Sequence, residues 1–231
     1  MGSSPASWSV AGIILVIHLC VTLAGGPLRQ PAWSFYETMG LTREGVLSGR
    51  IWQICTYGLL HGSWWHVSLN ALFVLLVGSR IEYMAGRGAM LRTVLLGVLG
   101  GGAGHLLLAA GGHRAPLLVG FSGGCVALLL LLTTLSPQSR MMPLPVSGKS
   151  LGLGILAAEL LLALANPALD LPGFSNAGNW LVGHGLASWF DMGHACHFGG
   201  GVAGWLYGRW LLRPRITLKR LRADRKRREA N

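Results

Sequence analysis

The chain has 231 residues, of which 52% are hydrophobic and only 12% charged, whereas a soluble domain of similar apolar content carries about a quarter charged residues. The formal charge is +11, but nine of the nineteen Lys and Arg residues fall between Arg213 and Arg228, directly after the last apolar stretch. The first fact excludes a water-soluble enzyme; the second argues against a nucleic-acid partner, because a basic run in that position is a juxtamembrane segment that attracts anionic lipid.

Apolar stretches such as 8–23, 67–77 and 117–135 are too long and too uncharged for one water-soluble core. At about 20 residues per crossing, they predict membrane helices. The expected spans are 8–25, 59–79, 91–110, 116–135, 149–167 and 193–212, an all-α bundle of six transmembrane helices over 1–212 with a basic tail over 213–231. Six spans use about 120 residues, so one compact domain fits and two do not.

The first span ends in Ala24-Gly25-Gly26, like a signal-peptide cleavage site, but it lacks a basic n-region and is read as a retained helix. The connection 26–58 carries Trp33, Phe35, Tyr36 and Trp52 and is expected to lie against the membrane interface. With both termini cytoplasmic, fifteen Lys and Arg residues fall inside, and only Arg29, Arg43, Arg50 and Arg114 fall outside. The long 168–192 connection has Asp170 and Asp191 but no Lys or Arg, which agrees with the positive-inside rule. Cys20, Cys55, Cys125 and Cys196 form no C-x-x-C pair and are read as buried thiols.

Polar groups within spans should face the bundle interior or a water-filled cavity. The second span opens with His61, His66 and Asn70, the fourth with Gly120, Ser122 and Gly123, and the sixth with His194, His197, Gly199 and Gly200. All three enter from the outer side, and a rise of 1.5 Å per residue puts Ser122, His197 and the His66/Asn70 pair roughly 5–12 Å below that surface. His197 shares a stripe with Gly200, Gly204 and Gly208, and Gly123 and Gly124 offer a matching small surface on the fourth span. Close contact there brings His197 within reach of Ser122, a nucleophile and base pair. The Asn70 amide, the His66 ring and the Ser122 backbone N–H then supply donors to an oxyanion. A rival assignment, a metal held by His61, His66, His194 and His197, leaves Ser122 and Asn70 without a role. Glu159, in the middle of the fifth span, is read as a neutral or hydrogen-bonded carboxyl facing the bundle, with a role in gating as the alternative, and from the cytoplasmic half it is unable to serve as a triad acid.

These residues resemble the rhomboid family of intramembrane serine proteases. His61-x4-His66-x3-Asn70, Gly78-x3-Glu82-x3-Gly86, Gly120-x-Ser122-Gly123 and His197-x-Gly199-Gly200-x3-Gly204-x3-Gly208 match family motifs in order and spacing, over about residues 50–212. The resemblance implies a Ser122–His197 dyad with no third acid, an oxyanion hole of His66, Asn70 and the Ser122 amide, and no cofactor or metal. It implies a polar cavity open to the outer side of a bacterial cytoplasmic membrane. Its substrates would be other transmembrane proteins, cleaved near the outer leaflet, with the fifth span and the 168–192 connection as lateral gate and cap. The alternative is an inactive relative that binds transmembrane helices, although such relatives typically lack Ser122 or His197. Two positions depart from the family pattern: Gln53 stands where Arg usually follows Trp, and Val126 where an aromatic residue usually stacks on the histidine.

Overall fold

The computed structural model describes residues 4–26, 32–108, 117–141, 145–214 and 218–229. Its helices are α1 (Pro5–Leu23), α2 (Ala32–Met39), α3 (Arg43–Leu47), α4 (Gln53–Thr56), α5 (Trp64–Phe73), α6 (Ser79–Ala85), α7 (Arg87–Leu108), α8 (Ser122–Leu135), α9 (Gly148–Leu164), α10 (Phe174–Gly183), α11 (His194–Leu211) and α12 (Leu218–Glu229). A π turn over Val74–Gly78 joins α5 to α6 into one continuous rod. Among the described residues, β pairing is confined to two isolated bridges, Leu41 with Leu118 and Arg140 with Ser147. Three helical stretches are long and apolar enough to cross a membrane, Pro5–Leu23, Trp64–Ala85 and Arg87–Leu108, while Ser122–Leu135 is apolar but shorter.

The centre of the bundle is α11, packed between α7 and α8. Glycine makes this possible, because without a Cβ one backbone can lie on another. A Cβ on Gly200 would strike the Gly123 carbonyl, and one on Gly204 would strike the backbone of Ala127, both on α8. On the other side, Gly199 meets Gly100 and Gly104 of α7. Gly208 continues the seam against Thr134, where a Cβ would come within 2.9 Å. A further contact joins α7 to α8, since a Cβ on Gly97 would lie 2.9 Å from the Gly124 Cα. Gly124 therefore serves the α7 contact, not the α11 contact expected from sequence.

The Gly78, Glu82 and Gly86 motif anchors α1. The Glu82 carboxylate accepts from the backbone N–H groups of Ala6 (3.1 Å) and Ser7 (2.9 Å) and from the Ser7 hydroxyl (2.9 Å). These amides belong to the first turn of α1, whose donors have no partner within the helix and whose dipole favours a negative charge. Gly78 leaves room for Ser7 and Met90, and Gly86 ends α6 at φ +86°, where a side chain is strained.

The connection between α1 and α5 is tied to the bundle by its polar groups. Leu41 exchanges backbone hydrogen bonds with Leu118, and the Tyr36 hydroxyl donates to the His61 carbonyl. Gln53, fully buried, anchors this connection: its amide donates to the carbonyls of Glu37 (3.1 Å) and Thr38 (3.2 Å), and its oxygen accepts from the Thr42 N–H (3.2 Å).

Several boundaries differ from the sequence expectation. The second helix starts at Trp64 and not 59, because Tyr57–Leu59 forms a 3₁₀ turn and Ser63 caps the helix by accepting from the His66 N–H. The fourth starts at Ser122, since the Leu41 bridge holds Leu118 extended. Of the cysteines, Cys125 and Cys196 are buried, but Cys20 and Cys55 face outward. The predicted span ends at 109–110 and 116, together with Arg29, His113 and Arg114, lie outside the described residues. The basic tail forms α12, with an Arg225–Glu229 ion pair one turn apart at 2.6 Å.

Two substitutions test these supports by thermal melting in detergent. Glu82→Ala strands the α1 amides and is expected to cost at least about 1.5–3 kcal/mol. Gly200→Val forces α11 off α8 and is expected to cost about 1–3 kcal/mol or more.

Candidate active site

The residues singled out by polarity lie at one end of the bundle, where α5, α8 and α11 begin. Gly120 is the turn into α8: its φ is +126°, and a Cβ there would lie 2.6 Å from the His66 ring. Backbone conformation and the packed imidazole each require glycine at this position. Its N–H donates to the Tyr57 carbonyl (3.0 Å). One residue on, the Phe121 N–H donates to His61 Nε2 (3.3 Å), so His61, completely buried, fixes the chain just before Ser122. Ser122 is then the first residue of α8, where backbone N–H groups have no acceptor within the helix.

The glycine seam sets α11 against α8, and Ser122 Oγ lies 2.8 Å from His197 Nε2. A cavity of about 660 Å³ opens beside them, lined among others by His66, Asn70, His105, Ser122, His194 and His197. The Cys125 thiol lies 3.7 Å from both the backbone and the side-chain oxygen of Asn70 and donates its one hydrogen between them. Asn70 lines the cavity, and its buried Nδ2 has no hydrogen-bond partner among the described residues. The His66 ring packs edge-on against His61 with centroids 5.0 Å apart. Residues 168–192 close over the same cavity through Ala168, Leu169, Phe190, Asp191 and Met192.

The structure corrects the placement of Glu159. Its Oε1 lies 3.2 Å from His197 Nδ1 and its Oε2 lies 2.6 Å from His194 Nδ1. α9 runs antiparallel to α11 and ends at Leu164, so Glu159 is five residues from the end that faces the start of α11. At 1.5 Å per residue this is about 8 Å, the depth of His197 and not the opposite half. The same contact answers the departure at Val126: with valine in place of an aromatic residue there, His197 is held from its Nδ1 side by the carboxyl and has the His194 ring edge-on at 6.1 Å. Val126 instead packs beside Gly201, where a Cβ would meet it at 3.2 Å.

His194 was named with His197 at the opening of the sixth span but given no role in the dyad reading, although the i, i+3 spacing puts both rings on one helix face. Its Nε2 lies 2.8 Å from the Trp189 carbonyl. Tyr57 was missed: its hydroxyl donates to the Val98 carbonyl (2.7 Å) and lies 3.5 Å from Cys196 Sγ, bracing α11 against α7. Among the described residues, the group close enough to share an ion is Glu159, His194 and His197, not the four imidazoles of the rival assignment. The 2.6 Å between Oε2 and Nδ1 is a hydrogen-bond distance, shorter than the separation of two ligands each about 2.0–2.1 Å from one tetrahedral ion.

The sequence model of the Rhomboid domain matches residues 48–214, more than two thirds of the chain and every element of the site. The chain belongs to the rhomboid family and is an integral membrane protein. No individual curated protein matches it.

Proposed function

We propose that the chain is an intramembrane serine protease in which Ser122 is the nucleophile and His197 the general base. The observation that carries this reading is the 2.8 Å contact between Ser122 Oγ and His197 Nε2 at the wall of a cavity. In the proposed reaction Ser122 Oγ attacks the scissile carbonyl as its proton passes to His197 Nε2, and the imidazolium then protonates the leaving amine. Water hydrolyses the resulting acyl-enzyme, with the same imidazole again as base. The free Asn70 amide, the His66 ring and the Ser122 N–H stabilise the oxyanion. No metal or cofactor is needed in this scheme.

Six helices cross the membrane in this reading, α1, α5 with α6, α7, α8, α9 and α11, and both termini lie on the cytoplasmic side of a bacterial inner membrane. The excess of Lys and Arg on that side supports the orientation, and α12 lies on anionic lipid. The cavity then opens outward, and its substrates are transmembrane helices that unwind into it past α9 and the 168–192 cap.

Labelling of the detergent-solubilised protein by a fluorescent fluorophosphonate tests the chemistry. The expected result is labelling of wild type and none of Ser122→Ala or His197→Ala, with all three folded; an unlabelled wild type, beside a labelled rhomboid protease, favours a helix-binding protein without activity. Asn70→Ala is expected to slow cleavage of a transmembrane substrate by roughly 10²–10³, and an unchanged rate removes Asn70 from the oxyanion hole.

A further inference from the structure

We infer that Glu159 is a positioning residue for His197, and that His194 holds Glu159 in place by sharing a proton with its second oxygen. The inference rests on the proposed serine-hydrolase reading and extends the dyad to a line of four side chains.

The hydrogen-bond partners fix the protons. A carbonyl oxygen only accepts, so the 2.8 Å contact with the Trp189 carbonyl places a hydrogen on His194 Nε2. His194 Nδ1 faces Glu159 Oε2 at 2.6 Å. A neutral ring with its hydrogen on Nε2 and an ionised carboxylate would present two lone pairs to each other there, so one proton lies between them. On the other side, a His197 ring that accepts the Ser122 hydroxyl proton at Nε2 carries its own hydrogen on Nδ1, and Glu159 Oε1, at 3.2 Å, accepts it. Each carboxyl oxygen thus has one imidazole partner, and the Glu159–His194 pair is neutral overall.

Burial gives the arrangement its consequence. The side chains of His194, His197 and Glu159 are only 6%, 15% and 19% exposed, so water competes weakly for these contacts. With Nδ1–H bound to Glu159, His197 is restrained both in tautomer and in rotation, and the imidazolium that forms when Ser122 attacks has a carboxyl oxygen beside it. The proton moved in that step travels from Ser122 Oγ to His197 Nε2 and back to the leaving group. Glu159 and His194 keep theirs.

Substitution can separate the hydrogen bonds from the shared proton. In Glu159→Gln the amide oxygen accepts from His197 Nδ1–H and the NH₂ group donates to His194 Nδ1, so every partner is kept and the variant is expected to fold. Glu159→Ala removes both contacts. The test uses full-length protein labelled with ¹⁵N-histidine in micelles, assigned with the His197→Ala variant, together with the rate of fluorophosphonate labelling. The expected wild-type spectrum has His197 protonated at Nδ1, with that proton shifted far downfield. Glu159→Gln is expected to keep the tautomer but label at least about tenfold more slowly, and Glu159→Ala to mix the tautomers and label about 10²-fold more slowly. A His197 ring protonated at Nε2 in wild type overturns the inference, as do spectra and labelling rates unchanged in both variants. A wild type that shows the Nδ1 signal but no labelling overturns the protease reading and leaves the positioning of His197 standing.

Discussion

Everything at the site depends on how closely α11 lies against α7 and α8. Side chains at the contact would hold the axes several ångströms further apart, and Ser122 Oγ and His197 Nε2 would then not be 2.8 Å apart. The approach is achieved by glycine on both partners: Gly200 on Gly123, and Gly199 on Gly100 and Gly104. In a bilayer, where lipid tails are as apolar as leucine, such packing is a main source of helix association. The same seam that holds the bundle together therefore sets the length of the Ser122–His197 contact.

Polar residues then act as fasteners in a largely apolar structure. Glu82 caps α1, Gln53 ties down the α2–α4 connection, His61 holds the turn into α8, and Glu159 joins α9 to α11. Each satisfies backbone or ring groups that would otherwise be buried without partners, which is costly where water is scarce. Among the described residues Asn70 Nδ2 is buried and unpartnered, as are His18 Nδ1, His61 Nδ1 and the Tyr207 hydroxyl.

Much of this was legible in the sequence, because depth in a membrane follows from counting. The openings of three apolar stretches put His66, Asn70, Ser122 and His197 at one level, and the glycine spacing showed which faces could meet. Glu159 was legible by the same count, since the predicted fifth span ends at 167, eight residues beyond it; only its assignment to the wrong half concealed the contact. The glycines of α7 were visible too, among them 97, 100, 101 and 104, but a stripe on one helix does not reveal which neighbour covers it. Non-helical stretches were least legible. The 3₁₀ turn before α5 and the bridged strand before α8 belong to runs as apolar as the helices they precede, and hydropathy alone cannot separate them.

The attachment of α9 has a mechanical side. Its buried positions are Gly148 and Gly152 at one end and Ala163 at the other; in between, Leu156 lies over Gly201 and Glu159 reaches the two imidazoles. Gly148 lies close against the Ser136 carbonyl; taken as a pivot, it has Glu159 eleven residues along the lever, about 16 Å away. A tilt of about 4° at the pivot therefore swings the carboxyl by about 1 Å, enough to stretch a 3.2 Å hydrogen bond past its useful range. The contact between His197 and Glu159 is in this way a gauge of the angle of α9.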